Sequence, residues 1–135
     1  MIRTSALILA AMLACASTAR AERTSKGPLD GQSFVGEVGK MGARGDTPDE
    51  LIFAKGQLRS TDCDQYGFGA APYSVVTEGK RTLFRATTVS PDNGQIAWSG
   101  SIEGDMLEAT FTWTNERRFW FDAEEKYWFK AKLKE

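Results

Sequence analysis

Two runs decide the architecture: Gln95-Ile96-Ala97-Trp98-Ser99-Gly100-Ser101-Ile102-Glu103 and, after Gly104-Asp105, Met106-Leu107-Glu108-Ala109-Thr110-Phe111-Thr112-Trp113-Thr114. In the second run Leu107, Ala109, Phe111 and Trp113 share one side of a two-residue period, and Glu108, Thr110, Thr112 and Thr114 share the other. The first run repeats the arrangement, with Ile96, Trp98 and Ile102 opposed to Gln95, Ser99, Ser101 and Glu103. Each is a strand with one apolar and one wet face. The two-residue connection makes them a hairpin.

Working outward, turn signals recur at Lys55-Gly56, Glu78-Gly79 and Pro91-Asp92-Asn93-Gly94, and no segment shows sustained helical spacing. Eight strands are predicted, at residues 33–38, 50–54, 57–61, 73–78, 82–89, 95–103, 106–114 and 126–134. Consecutive hairpins with single-face alternation leave two open edges unless the sheet curls and closes. About eight strands is the size at which a small barrel closes around its own side chains or one small ligand. The expected fold is therefore all-β, an eight-stranded antiparallel up-and-down barrel over residues 31–135, with a two-sheet β-sandwich as the alternative.

The N-terminal 21 residues read as a secretory signal peptide: Arg3, an apolar stretch over residues 6–14, and Ala19-Arg20-Ala21 before Glu22. That stretch is far shorter than the ~20 residues of a membrane-spanning helix. Export to the periplasm or the medium follows from this reading. A lipoprotein cut before Cys15, at Met12-Leu13-Ala14-Cys15, is the competing one. Residues 22–30 are polar, broken at Gly27-Pro28, and are expected to be a flexible lead.

Of 135 residues, 17 are Lys or Arg and 18 Asp or Glu, and none is His. Loss of Arg3 and Arg20 with the leader leaves 15 basic against 18 acidic residues, a net charge of −3. No electrostatic pull toward nucleic acid is expected. The absence of histidine excludes Ser-His-Asp and Cys-His nucleophiles and every imidazole metal site. Residues 62–67 begin like a calcium loop but place Tyr66 where an oxygen ligand belongs and Tyr73 where the closing Glu belongs. Gly67 and Gly69 are instead read as a tight path that packs Tyr66 and Phe68 at a barrel rim. Cys63, flanked by Asp62 and Asp64, is expected to be a buried structural thiol, not a nucleophile. Glu103, Asp105 and Glu108 cluster in sequence, but with Glu103 and Glu108 on a wet face they read as solvated charges. No catalytic residue, metal or cofactor is expected, and the chain is read as a non-enzyme.

The segment Leu29-Asp30-Gly31-Gln32-Ser33-Phe34 opens the first strand, and Tyr127-Trp128-Phe129-Lys130-Ala131-Lys132-Leu133 closes the meander. With the stretch Arg59-Ser60-Thr61-Asp62-Cys63-Asp64-Gln65-Tyr66-Gly67-Phe68, this pattern resembles small secreted bacterial proteins with a lipocalin-like (calycin) barrel. The resemblance implies a fold and a cavity of apolar character, with no activity attached.

Aromatic residues on core-facing positions, Phe84, Trp98, Phe111, Trp113, Tyr127 and Phe129, are the candidate lining of a small-molecule cup, together with Trp120. The same rings could fill the barrel. A solvent-open cavity of at least ~300 Å³ separates the two readings. In the loop over residues 115–125, Phe119-Trp120-Phe121 reads as a plug, a lid or a docking patch for a protein or glycan partner. The expected function is non-covalent binding of a small apolar or amphipathic molecule. The alternative is an envelope structural or interaction protein with a filled barrel, docking through that loop.

Overall fold

The alternation read from the sequence becomes eight strands in the computed structural model, which describes residues 27–115 and 123–135. They are β1 (Ser33–Lys40), β2 (Thr47–Ala54), β3 (Gln57–Ser60), β4 (Ala71–Glu78), β5 (Arg81–Ser90), β6 (Gly94–Glu103), β7 (Met106–Asn115) and β8 (Ala123–Leu133). Each pairs antiparallel with the next, and β1 pairs with β8 from Phe34↔Leu133 to Lys40↔Tyr127. The sheet is a closed barrel, not a sandwich. The signal-peptide and lipoprotein readings of residues 1–21 concern residues outside those described, as do Phe119-Trp120-Phe121.

Strand limits differ from the sequence reading where one-sided pairing hides the signal. β2 starts at Thr47, so that Pro48 stands opposite Glu37 of β1, at a level beyond the last residue of β3. Proline is tolerated there because no second neighbour needs its missing N–H. A second difference is a 3-10 helix over Asp62–Tyr66, which five residues are too few to announce by periodicity.

Inward residues fill much of the barrel with rings. Phe53 meets Phe34, Tyr73 and Phe84 edge-to-face at centroid distances of 6.2, 5.0 and 5.3 Å. Such pairs add ~0.5–1.5 kcal/mol each beyond area burial. Gly100 makes this packing fit, because a Cβ on it would stand 2.5 Å from the Phe84 ring.

The two ends of the barrel differ. At one end lie the β2–β3, β4–β5 and β6–β7 turns and the residues preceding β1. Here residues 27–30, the described part of the expected flexible lead, are folded against the barrel, and Leu29 is 5% exposed within the core. Asp30 holds this turn. Its carboxylate accepts from Gly27 N at 2.7 Å, Gly56 N at 2.9 Å and the Tyr73 hydroxyl at 2.8 Å. The same hydroxyl accepts from Leu29 N at 2.8 Å. Burial, reinforced by the adjacent Asp30 carboxylate, pushes the Tyr73 phenol up to about 12, so it stays a donor throughout the neutral range. This end is plugged.

Candidate functional site

The opposite end, reached by the C-terminal parts of β1, β3, β5 and β7, holds a cavity of about 360 Å³. Its walls follow from strand alternation. Val38 from β1, Ile96 from β6 and Phe111 from β7 are buried inward positions, with Trp113 and Tyr127 one step nearer the rim. Phe111 stacks on Tyr127 at 4.9 Å with ring planes 15° apart, and on its other side meets Trp98 at 4.3 Å. Three rings thus run as a column from core to mouth.

The 3-10 helix forms the remaining wall through Asp62, Cys63 and Tyr66, with Phe68 buried just after it. Hydrogen bonds fix it on two sides. Asp49, buried on β2, accepts from Ser60 Oγ at 2.6 Å, Glu50 N at 2.7 Å and Asp62 N at 2.9 Å. Across the mouth, Ser90 Oγ and Asn93 Nδ2 each donate to the Tyr66 carbonyl at 2.8 Å, and Trp113 Nε1 donates to the Asn93 carbonyl at 2.6 Å. Gly67 closes the helix at φ +85°, a conformation that side-chain-bearing residues rarely adopt. The wall is therefore tied both to β2 and to the β5–β6 turn.

Burial raises the Asp49 carboxyl above its ordinary value near 3.8, against the lowering effect of its donors. Cys63 is a free, buried thiol pushed up to about 12, first by burial and then by Asp49, Asp62 and Asp64. A thiol held neutral in this way is a poor nucleophile. At the rim, Tyr127 donates its hydroxyl to Glu125, which also faces Lys40 Nζ at 3.8 Å. Burial and Glu125 raise the Tyr127 phenol. Lys40, Asp46 and Thr47 complete the edge, so an apolar wall ends in a charged rim.

Of the residues singled out from sequence, Phe111, Trp113 and Tyr127 line the cavity. Phe84, Trp98 and Phe129 do not; they are the packed interior beneath it, with Trp98 2% exposed. Period-two alternation gives the side of the sheet on which a ring lies but not its height along the barrel, so lining and filling rings look alike in sequence. Trp120 lies outside the described residues. The sequence reading placed Tyr66 and Phe68 at a rim and Cys63 in a buried site, but did not include them in the cup. Val38, Ile96 and Asn93 carried no signal beyond strand and turn patterning.

Two polar atoms below the cavity, Thr88 Oγ1 and Trp98 Nε1, are buried without a hydrogen-bond partner among the described residues. Thr88 stands opposite cavity-lining Ile96, and Trp98 opposite cavity-lining Phe111. A larger depression of about 630 Å³ lies on the outside of the barrel over β4 to β7, among exposed Arg85, Thr87, Ser99 and Thr110. It is open surface on the wet face of the sheet. Among the described residues no group of acidic and cysteine side chains is arranged to hold a metal ion, and no helix is long and apolar enough to cross a membrane. Comparison with family models, curated proteins and solved structures finds no match to the chain.

Proposed function

We propose that the chain is an exported, non-enzymatic protein that binds a small amphipathic molecule non-covalently in the open end of its barrel. The observation that carries this reading is the ring column of Trp98, Phe111 and Tyr127, which leads from packed core into a cavity of about 360 Å³. That volume is within the range of small-molecule pockets, and an aromatic wall ending in a charged rim suits an apolar body with a polar end.

Titration with a lipophilic fluorophore tests the proposal. Binding should be saturable and displaceable by an unlabelled amphiphile, and should quench or shift the fluorescence of Trp113, which lies in the cavity wall. Absence of saturable binding overturns it and leaves the filled-barrel reading, with docking through Phe119-Trp120-Phe121. The mass of the protein recovered from the cell distinguishes cleavage after Ala21 from acylation at Cys15.

A further inference from the structure

The barrel has one incomplete seam. β3 and β4 pair only through Gln57↔Pro72 and Leu58↔Ala71, whereas β4 continues to Glu78, paired on its other side with β5 from Tyr73↔Ala86 to Glu78↔Arg81. Among the described residues, residues 74–78 of β4 therefore have a sheet neighbour on one side only. Tyr73 N donates away from β5, to the Gly56 carbonyl at 3.3 Å. Because antiparallel strands direct alternate residues to alternate sides, Val75 and Thr77 also turn their N–H and C=O groups outward. No described residue bonds to them on that side. The open stretch is Ser74-Val75-Val76-Thr77, which has strong strand propensity and lacks the charges and prolines that usually blunt an edge. Val76 is 62% exposed.

We propose that this edge pairs with the same edge of a second copy of the chain, antiparallel about a two-fold axis at Val76. In that register Val75 of each copy stands opposite Thr77 of the other. Since both residues point their backbone groups outward, the two pairs exchange four hydrogen bonds. Val76 meets Val76 of the second copy in the central non-hydrogen-bonded position, where side chains approach most closely.

Charge selects the same register. On the outer face Ser74 lies beside Arg85 of β5, and Glu78 beside Arg81. Pairing Ser74 with Glu78 of the second copy sets Arg85 and that Glu78 on either side of a small serine. Two strand spacings of ~4.8 Å are within reach of these two long side chains. Neither Glu78 nor Arg85 has an ion pair within the described chain. An apolar row, Leu83 and Val76 from each copy, runs between the two charged rows. This edge lies toward the plugged end of the barrel, so the dimer leaves both cavities open and is independent of ligand binding.

Sedimentation analysis of the purified protein over a concentration series tests the proposal. The wild type should move reversibly from monomer to dimer as concentration rises. Val76→Lys sets two ammonium groups against each other and should raise the dimer dissociation constant at least about tenfold. Thr77→Pro removes an outward N–H that β5 does not use, so it should abolish the dimer while circular dichroism and fluorophore binding stay unchanged. A wild type that remains monomeric to about millimolar concentration overturns the proposal. A dimer that survives both substitutions in the folded protein overturns it equally.

Discussion

The two ends of the barrel use the same device for opposite results. At the plugged end Asp30 gathers Gly27, Gly56 and Tyr73, and the turn it holds drops Leu29 into the core. At the open end Asp49 gathers Ser60, Glu50 and Asp62, but the segment it holds is a 3-10 helix that lines a cavity of about 360 Å³. In both cases a carboxylate satisfies backbone donors that a loop crossing a barrel end would leave unpaired. What differs is the side chain carried by the loop. Leu29 is buried within the core cluster, whereas Cys63 and Phe68 are buried but line the cavity.

That contrast predicts separable effects. The largest belongs to the plugged half: Phe53→Ala should lower unfolding free energy by about 3–5 kcal/mol in denaturant titration. The folded fraction should keep its affinity for the fluorophore, because Phe53 touches Phe34, Tyr73 and Phe84 and not the cavity. Equal damage to affinity would show that the two ends are not independent. At the open end the order reverses. Trp113→Ala should weaken fluorophore binding about tenfold while shifting the melting temperature little, since this half-buried ring lines the cavity beside the rim. A melting collapse with intact affinity would assign Trp113 to the core.

The smallest effect concerns pH. Asp49 has a raised folded-state pKa, so the folded chain retains a proton that the unfolded chain releases near 3.8. The associated stabilisation is complete below that pH and is lost as pH rises through the folded value. Asp49→Asn lacks this component. The stability of the wild type relative to the variant should therefore fall as pH is raised above 3.8 and then level off. A difference that stays constant from about pH 3 to 7 would refute the assignment.

Much of the fold was legible because alternation is a local signal: the pattern at residues 95–114 pointed to a hairpin and its repetition to eight strands, whereas the same pattern also allowed a sandwich and closure followed only from the cost of open edges. The cup was legible only in part. Phe111 and Phe129 have the same periodicity, yet one lines the cavity and the other lies below it, because height depends on register and barrel stagger. The helical wall of the cavity rests on Asp49, Ser90 and Asn93 meeting residues 11 to 27 positions away in the chain. No local pattern marks such contacts. The unpaired edge of β4 was equally hidden, since it arises from β3 being four residues long beside a strand of eight.

The short join between β3 and β4 also determines how the molecule breathes. A hoop is only as tight as its weakest fastening, and here two residue pairs do the work that ten do between β5 and β6. Local opening should start at this clasp and spread into the 3-10 helix that follows β3. Amide hydrogens at Leu58 and Ala71 should accordingly exchange faster than those at Trp98 and Phe111, deep in the long ladders.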